Sequence, residues 1–179
     1  RQDANTDVDI LTDSTIEEVV LDLKDDDTDA NNATVTMTDA NAATITLKGG
    51  FAGQTLTLDT LSKTTTTVDA SELDADLTFP AGAVDVGMTV TMKAAQTSDN
   101  VVLSTKDDTL TVGKTGNVAV DLDGNTGTDT MNITVATGFK DTDEIDGFEK
   151  LNITVNSGDD ISIGANGGDN GQANAIADA

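Results

Sequence analysis

The tetrapeptide Asn-Ile-Thr-Val occurs twice, at 132–135 and again at 152–155, each time after an acidic turn that contains glycine. This repeat constrains the fold more than any other feature of the chain. In each copy Ile and Val alternate with polar residues, the period of two expected of a half-buried strand. The Asp, Gly and Asn residues before each copy suit tight turns, because Asp and Asn bond to their own backbone and Gly accepts positive φ. A chain written in such units must pair or stack short strands.

The same rhythm runs through most of the sequence. Strand candidates are centred near Val35, Ile45, Leu56, Val68, Leu77, Val90, Val102, Leu110 and Val118, at spacings of 8 to 13 residues. Gly49-Gly50 and Gly82 mark turns, and Pro80 should end the strand that contains Phe79. The first readable unit runs from Asp9 to Leu23. Its second half could form a short helix opened by Ser14 with Glu17 in the capping-box position. A strand is preferred, because acidic turn, Ile-Glu and alternating Val and Leu parallel the later run DTDEIDGFEKLNITV. Regular apolar alternation argues against disorder, despite a composition rich in Thr, Ala, Gly and Asp.

Many short strands with turns between them call for an all-β architecture. The choice lies between a β-sandwich and a solenoid of stacked rungs. A sandwich core usually draws on large aromatics, and this chain has 4 Phe, no Trp and no Tyr. Thin rungs can be filled by Val, Ile, Leu, Ala and Thr. Thr at alternate positions, as in Thr34/Thr36/Thr38, Thr44/Thr46 and Thr55/Thr57, suits side-chain ladders on an outward face. The expected fold is a Thr/Asp-rich β-solenoid of short strands, parallel β-helix-like, with a β-sandwich as the alternative. Residues 1–179 read as one continuous repeat-type segment, with a possible sub-boundary near 106–116. Neither end carries an evident cap, so continuation into neighbouring domains or another copy is expected.

Charge narrows the function. A net charge of -24, from 33 acidic residues against 9 basic ones, argues against a nucleic-acid partner, which needs a cationic face. Of the acids 28 are Asp and 5 are Glu, a bias toward the residue that shapes turns and chelates hard cations. The chain has no Cys and no His, which removes disulfides, zinc sites of the usual kind and Ser-His or Cys-His catalysis. No P-loop, nucleophile elbow or dinucleotide-binding glycine motif is present. Carboxylate pairs could hydrolyse glycosidic bonds, but the aromatic platforms that usually line sugar sites are missing. The reading is therefore non-enzymatic. No apolar run approaches a membrane span, so no membrane insertion is expected. The N-terminal RQDANTDVDI lacks an apolar signal core, so any export signal is expected to have been removed or to lie outside these residues.

Three acidic stretches are candidate cation sites. DLDGNTGTD places oxygen ligands at Asp121, Asp123 and Asn125, with Asp129 further on. A flexible all-oxygen loop is what calcium prefers, although the glycine position is not that of an EF-hand. DTDEIDG offers Asp141, Asp143 and Asp146, with Glu144 between them. The C-terminal GDDISIGANGGDNGQAN brings Asp159, Asp160 and Asp169 close in sequence, a loose echo of the glycine-aspartate nonapeptide that binds calcium between successive turns. A plain polar turn is the competing and favoured reading of each stretch. DDDTD, Asp25 to Asp29, reads as a solvated loop. Three Asn-x-Thr triplets, at Asn32, Asn132 and Asn152, read as ladder residues rather than glycosylation sites.

The chain resembles the calcium-binding β-solenoid proteins of bacterial surface layers (S-layers) and the related RTX-type exported proteins. The resembling segments are Thr65 to Phe79 and Gly124 to Asp160. They contain a Gly-Thr-Asp turn at Gly127 to Asp129 and a Gly-Phe-Glu-x-Leu-Asn-Ile lead at Gly147 to Ile153. The regular tandem nonapeptides of such proteins are absent. The resemblance implies secretion by a type I route, folding with extracellular calcium as cofactor, and self-assembly at the cell surface as a lattice or fibre. Expected partners are copies of the chain or neighbouring domains, and cell-surface glycan if it binds one. An adhesin repeat, or a fibre or decoration domain of a virus particle, is the alternative.

Overall fold

The structure is a computed structural model. It describes residues 6–11, 15–24, 32–38, 41–81, 84–94, 98–114, 119–135 and 144–155. The elements are β1 (Thr6–Leu11), β2 (Glu18–Leu23), β3 (Ala33–Thr38), β4 (Thr44–Gly49), β5 (Thr55–Thr60), β6 (Thr67–Leu73) and β7 (Asp76–Pro80). They continue with β8 (Thr89–Ala94), β9 (Ser98–Val102), β10 (Thr109–Lys114), β11 (Ala119–Asp123), β12 (Thr130–Val135), β13 (Glu144–Asp146) and β14 (Lys150–Val155).

Odd-numbered strands form one seven-stranded sheet in the order β1-β3-β5-β7-β9-β11-β13, and even-numbered strands form a second in the order β14-β12-β10-β8-β6-β4-β2. Each strand pairs in parallel with the strand two places on. The chain therefore alternates between two walls and climbs one rung per circuit. That is a β-solenoid, and no helix occurs among the described residues. The step between stacked residues is 20 to 23 along most of the chain. It is longer at the start, where Thr6 pairs with Ala33 and Glu18 with Thr44. The acidic run at 25–32 belongs to that longer circuit and lies mostly outside the described residues.

Apolar alternation explains why the walls close on each other. Along β4 and β5 the inward positions Ile45, Leu47, Leu56 and Leu58 are fully buried, while the Thr between them are half-buried on the outside. Parallel stacking puts like on like. Ile45, Val68, Val90, Leu110 and Met131 form one inward column, and Met92, Val112, Ile133 and Ile153 continue another. Phe79 and Phe148 are the largest fully buried side chains. Columns of aliphatic side chains fill most of the narrow interior, with Phe79 and Phe148 the aromatic exceptions.

Every sequence-derived strand centre but Val118 falls in an observed strand, and the segment after Glu17 is a strand, as preferred; Val118, just before β11, and the turn at Gly82 lie outside the described residues. Two strands fall outside the sequence-derived set. β1 has the sequence TDVDIL, and β13 is three residues inside the acidic run DTDEIDG. Asp99 is a second departure. It occupies the inward column between Leu77 and Val120 yet is almost fully buried. Its carboxylate accepts the Leu77 N–H at 2.7 Å, which offsets part of the cost of taking it from water.

Candidate cation site at the acidic corner

Each even-numbered strand is entered through a corner residue, and these corner residues stack. At every rung the first strand N–H donates to the corner carbonyl of the preceding rung, as in Thr109 to Met88 at 2.8 Å, Thr130 to Asp108 at 2.9 Å and Lys150 to Asp129 at 3.0 Å. The corner N–H needs its own acceptor. Early in the chain a backbone carbonyl serves, with Thr66 N–H donating to Ala43 at 2.9 Å. From Met88 onward a carboxylate of the following rung takes over.

The result is a ladder of acids. Met88 N–H donates to Asp108 Oδ1 at 2.6 Å, Asp108 N–H to Asp129 Oδ1 at 2.7 Å, and Asp129 N–H to Glu149 Oε2 at 2.6 Å. Ser104 Oγ donates to the Asp108 carboxylate at 2.8 Å from Oδ2, and Asp107 Oδ1 accepts the Thr128 N–H at 2.9 Å. Asp129 has no solvent exposure, and its Oδ2 is buried without a hydrogen-bond partner. Burial raises its pKa to about 6, assisted by the carboxylates of Asp108, Glu149 and Asp107 and opposed by the Asp108 N–H. Burial raises Asp108 too, against the hydrogen bonds from Met88 and Ser104.

Glycine makes room for this corner. At Gly127, with φ of 149°, a Cβ would stand 2.4 Å from the Lys106 carbonyl oxygen and 3.1 Å from Asp129 Oδ2. The space beside Gly127 is thus bordered by a backbone carbonyl and by the unpaired carboxylate oxygen. At Gly124 a Cβ would meet the Gly147 carbonyl at 2.1 Å.

The candidates from DLDGNTGTD do not gather in one loop. Asp121 faces outward on β11 and accepts from Asn100 Nδ2 at 3.0 Å. Asp123 caps its own turn by accepting the Asn125 N–H at 2.7 Å. Asn125 has φ of 69° and donates to the Leu103 carbonyl, one rung away, at 3.3 Å. Asp129 alone reaches the corner. Stacking does bring separate motifs together, since Asp121 pairs in register with Glu144 and Asp123 with Asp146. Asp146 is exposed and accepts the Gly147 N–H at 2.8 Å. Asp141, Asp143, Asp159, Asp160 and Asp169 lie outside the described residues. Among the described residues no group of three acidic side chains is arranged to hold a metal ion on its own.

Sequence reading missed Asp107, Asp108 and Glu149. Their signal is an acid one or two places before a strand, seen only when Lys106-Asp107-Asp108-Thr109 is laid over Gly127-Thr128-Asp129-Thr130. Fold and corner together define the class of this protein, a two-walled parallel β-solenoid with an internal carboxylate ladder. The chain matches no family model, no curated protein and no solved structure, so its own geometry carries the functional argument.

Proposed function

We propose that this chain is a non-enzymatic extracellular structural protein, a segment of a surface layer or fibre whose rungs are tied together by calcium. The observation that carries the reading is Asp129, a fully buried carboxylate with one unpaired oxygen between acids of the adjacent rungs. Stacked like charges repel, and burial strengthens the repulsion. A hard divalent cation offsets both costs, because it takes carboxylate, backbone carbonyl and water oxygens together.

The residues that would hold it are Asp129 through Oδ2 and Lys106 through its carbonyl, with Asp108 and Glu149 next along the ladder. Water would complete the shell, since no three carboxylates converge among the described residues. Calcium supplies charge neutralisation when bound. The chain's own contribution is to stack the corner residues in register and to bury the Asp129 carboxylate. Assembly follows from the same geometry. A parallel solenoid grows by adding rungs, and the terminal strands of the described sheets, β1 with β2 and β13 with β14, are where a further rung or another copy would stack.

The test is assembly. Protein stripped by chelator and returned to millimolar calcium is followed by light scattering and electron microscopy. Ordered fibres or sheets that disperse on chelation are expected. Monodisperse protein under both conditions contradicts the reading.

A further inference from the structure

The outer face of the second sheet carries two ranks of side chains in unbroken register. The first position is threonine in five consecutive strands, from β4 to β12. The third position holds Thr46, Asp69, Thr91, Thr111, Asn132 and Asn152. On a chain of net charge -24, Asp69 is the one charge in these two ranks between β4 and β12; the next outward positions carry Lys48, Glu72 and Lys93 on β4, β6 and β8, and the uncharged Gly113 and Thr134 on β10 and β12. From β8 to β12 both ranks are uncharged.

The array is held in place. Asn152 Nδ2 donates to Asn132 Oδ1 at 2.8 Å, and Asn132 Nδ2 donates to Thr111 Oγ1 at 3.3 Å, so the third-position rank is hydrogen-bonded from rung to rung. Thr91 and Thr111 are half-buried against their neighbours, and a β-branched side chain has few rotamers to choose from. Strand geometry sets the grid at about 4.8 Å between rungs and about 6.6 Å along a strand.

We propose that this face binds ice. A grid of fixed methyl and hydroxyl groups presents no concave pocket for a small molecule, so it suits a flat periodic partner. A mineral surface carries charge and would be met by charge. Ice is an uncharged periodic solid, and the rung-to-rung length of the grid lies near the shorter water repeat of its prism faces, while the step along the strand is crossed only once between the two ranks. Methyl groups anchor a cage of water while hydroxyl and amide groups hydrogen-bond into it. This reading is independent of the calcium corner, which lies beside the sheet and not on its outer face.

The test uses the full chain in calcium-containing buffer, with incorporation into a slowly grown ice crystal and shaping of a single crystal as readouts. Thr91→Lys with Thr111→Lys places charges in the grid. Thr57→Lys with Thr78→Lys does the same on the opposite sheet as a control. Wild type and control are expected to enter the ice and facet the crystal, and the grid variant to be excluded. Should that variant fail to fold, as judged by its melt, Thr91→Ser with Thr111→Ser removes only the methyls and is expected to weaken incorporation. Exclusion of wild type from ice, or equal incorporation of wild type and grid variant, overturns the proposal. So does a face that closes two copies together, seen as a dimer in sedimentation that the grid variant dissolves, with no wild-type incorporation.

Discussion

Asp129 concentrates the tension in this molecule. Its folded-state pKa of about 6 lies above the ordinary 3.8, so the folded chain holds the proton more tightly than the unfolded one. Stability from this group is therefore present below the ordinary value and is lost as pH rises through about 6. In chelator the melting temperature should rise as pH falls from neutral through that window, and more steeply for wild type than for Asp129→Asn. The paired comparison is needed because protonation also relieves the general repulsion of a highly acidic chain. At neutral pH without divalent ions, Asp129→Asn should be more stable than wild type by roughly 1–2 kcal/mol in denaturant melts. Gly127→Ala should cost about 2–3 kcal/mol in the same assay, since a Cβ would press on the Lys106 carbonyl and φ of 149° is strained for alanine. An unchanged melt for that variant would show the corner to be slack. The Gly-Thr-Asp and Gly-Phe-Glu signatures were legible in the sequence, but their joint role was not. Asp129 and Glu149 meet only because rungs stack at a step that no local pattern states.

At the scale of the element, most strands announce themselves by alternation. β4 and β5 place Ile, Leu and Thr at a clean period of two, so both position and facing could be read directly. β13 could not, because its three residues include two acids and one buried Ile145, and it persists by pairing with β11 rather than by propensity. Asp99 hides for a related reason. A carboxylate in an inward column contradicts the pattern until its bond to the Leu77 N–H is seen. The inward columns carry the stability of each rung. Leu110→Ala opens space in a fully buried column and should lower stability by about 2–5 kcal/mol in a denaturant titration. Asn132→Ala breaks two outward ladder bonds and should cost less than about 1.5 kcal/mol. Equal losses for the two would mean that the outer ladder, not the interior, holds the walls.

For the whole molecule, the solenoid is a sum of rungs and neighbouring contacts, so it should tolerate loss of one complete circuit. Thr109 and Thr130 are register partners, and deleting residues 109–129 joins Asp108 to Thr130 in the same corner geometry. That shortened chain should keep a β-type circular dichroism spectrum with a lower melting temperature, whereas a two-layer sandwich would collapse. Solenoid rather than sandwich was legible because four Phe and long Thr alternation suit stacked thin rungs. The order of the two walls was not, since parallel pairing two strands apart leaves no mark on any single strand. Calcium binding at the Asp129 corner, as proposed, is measured by melting temperature against calcium concentration for wild type and Asp129→Asn side by side. A ligand taken only by the folded chain stabilises it by mass action. A large, chelator-reversible rise is expected for wild type, with most of it lost in Asp129→Asn; no rise, or the same rise in both, would rule calcium out as the tie between rungs.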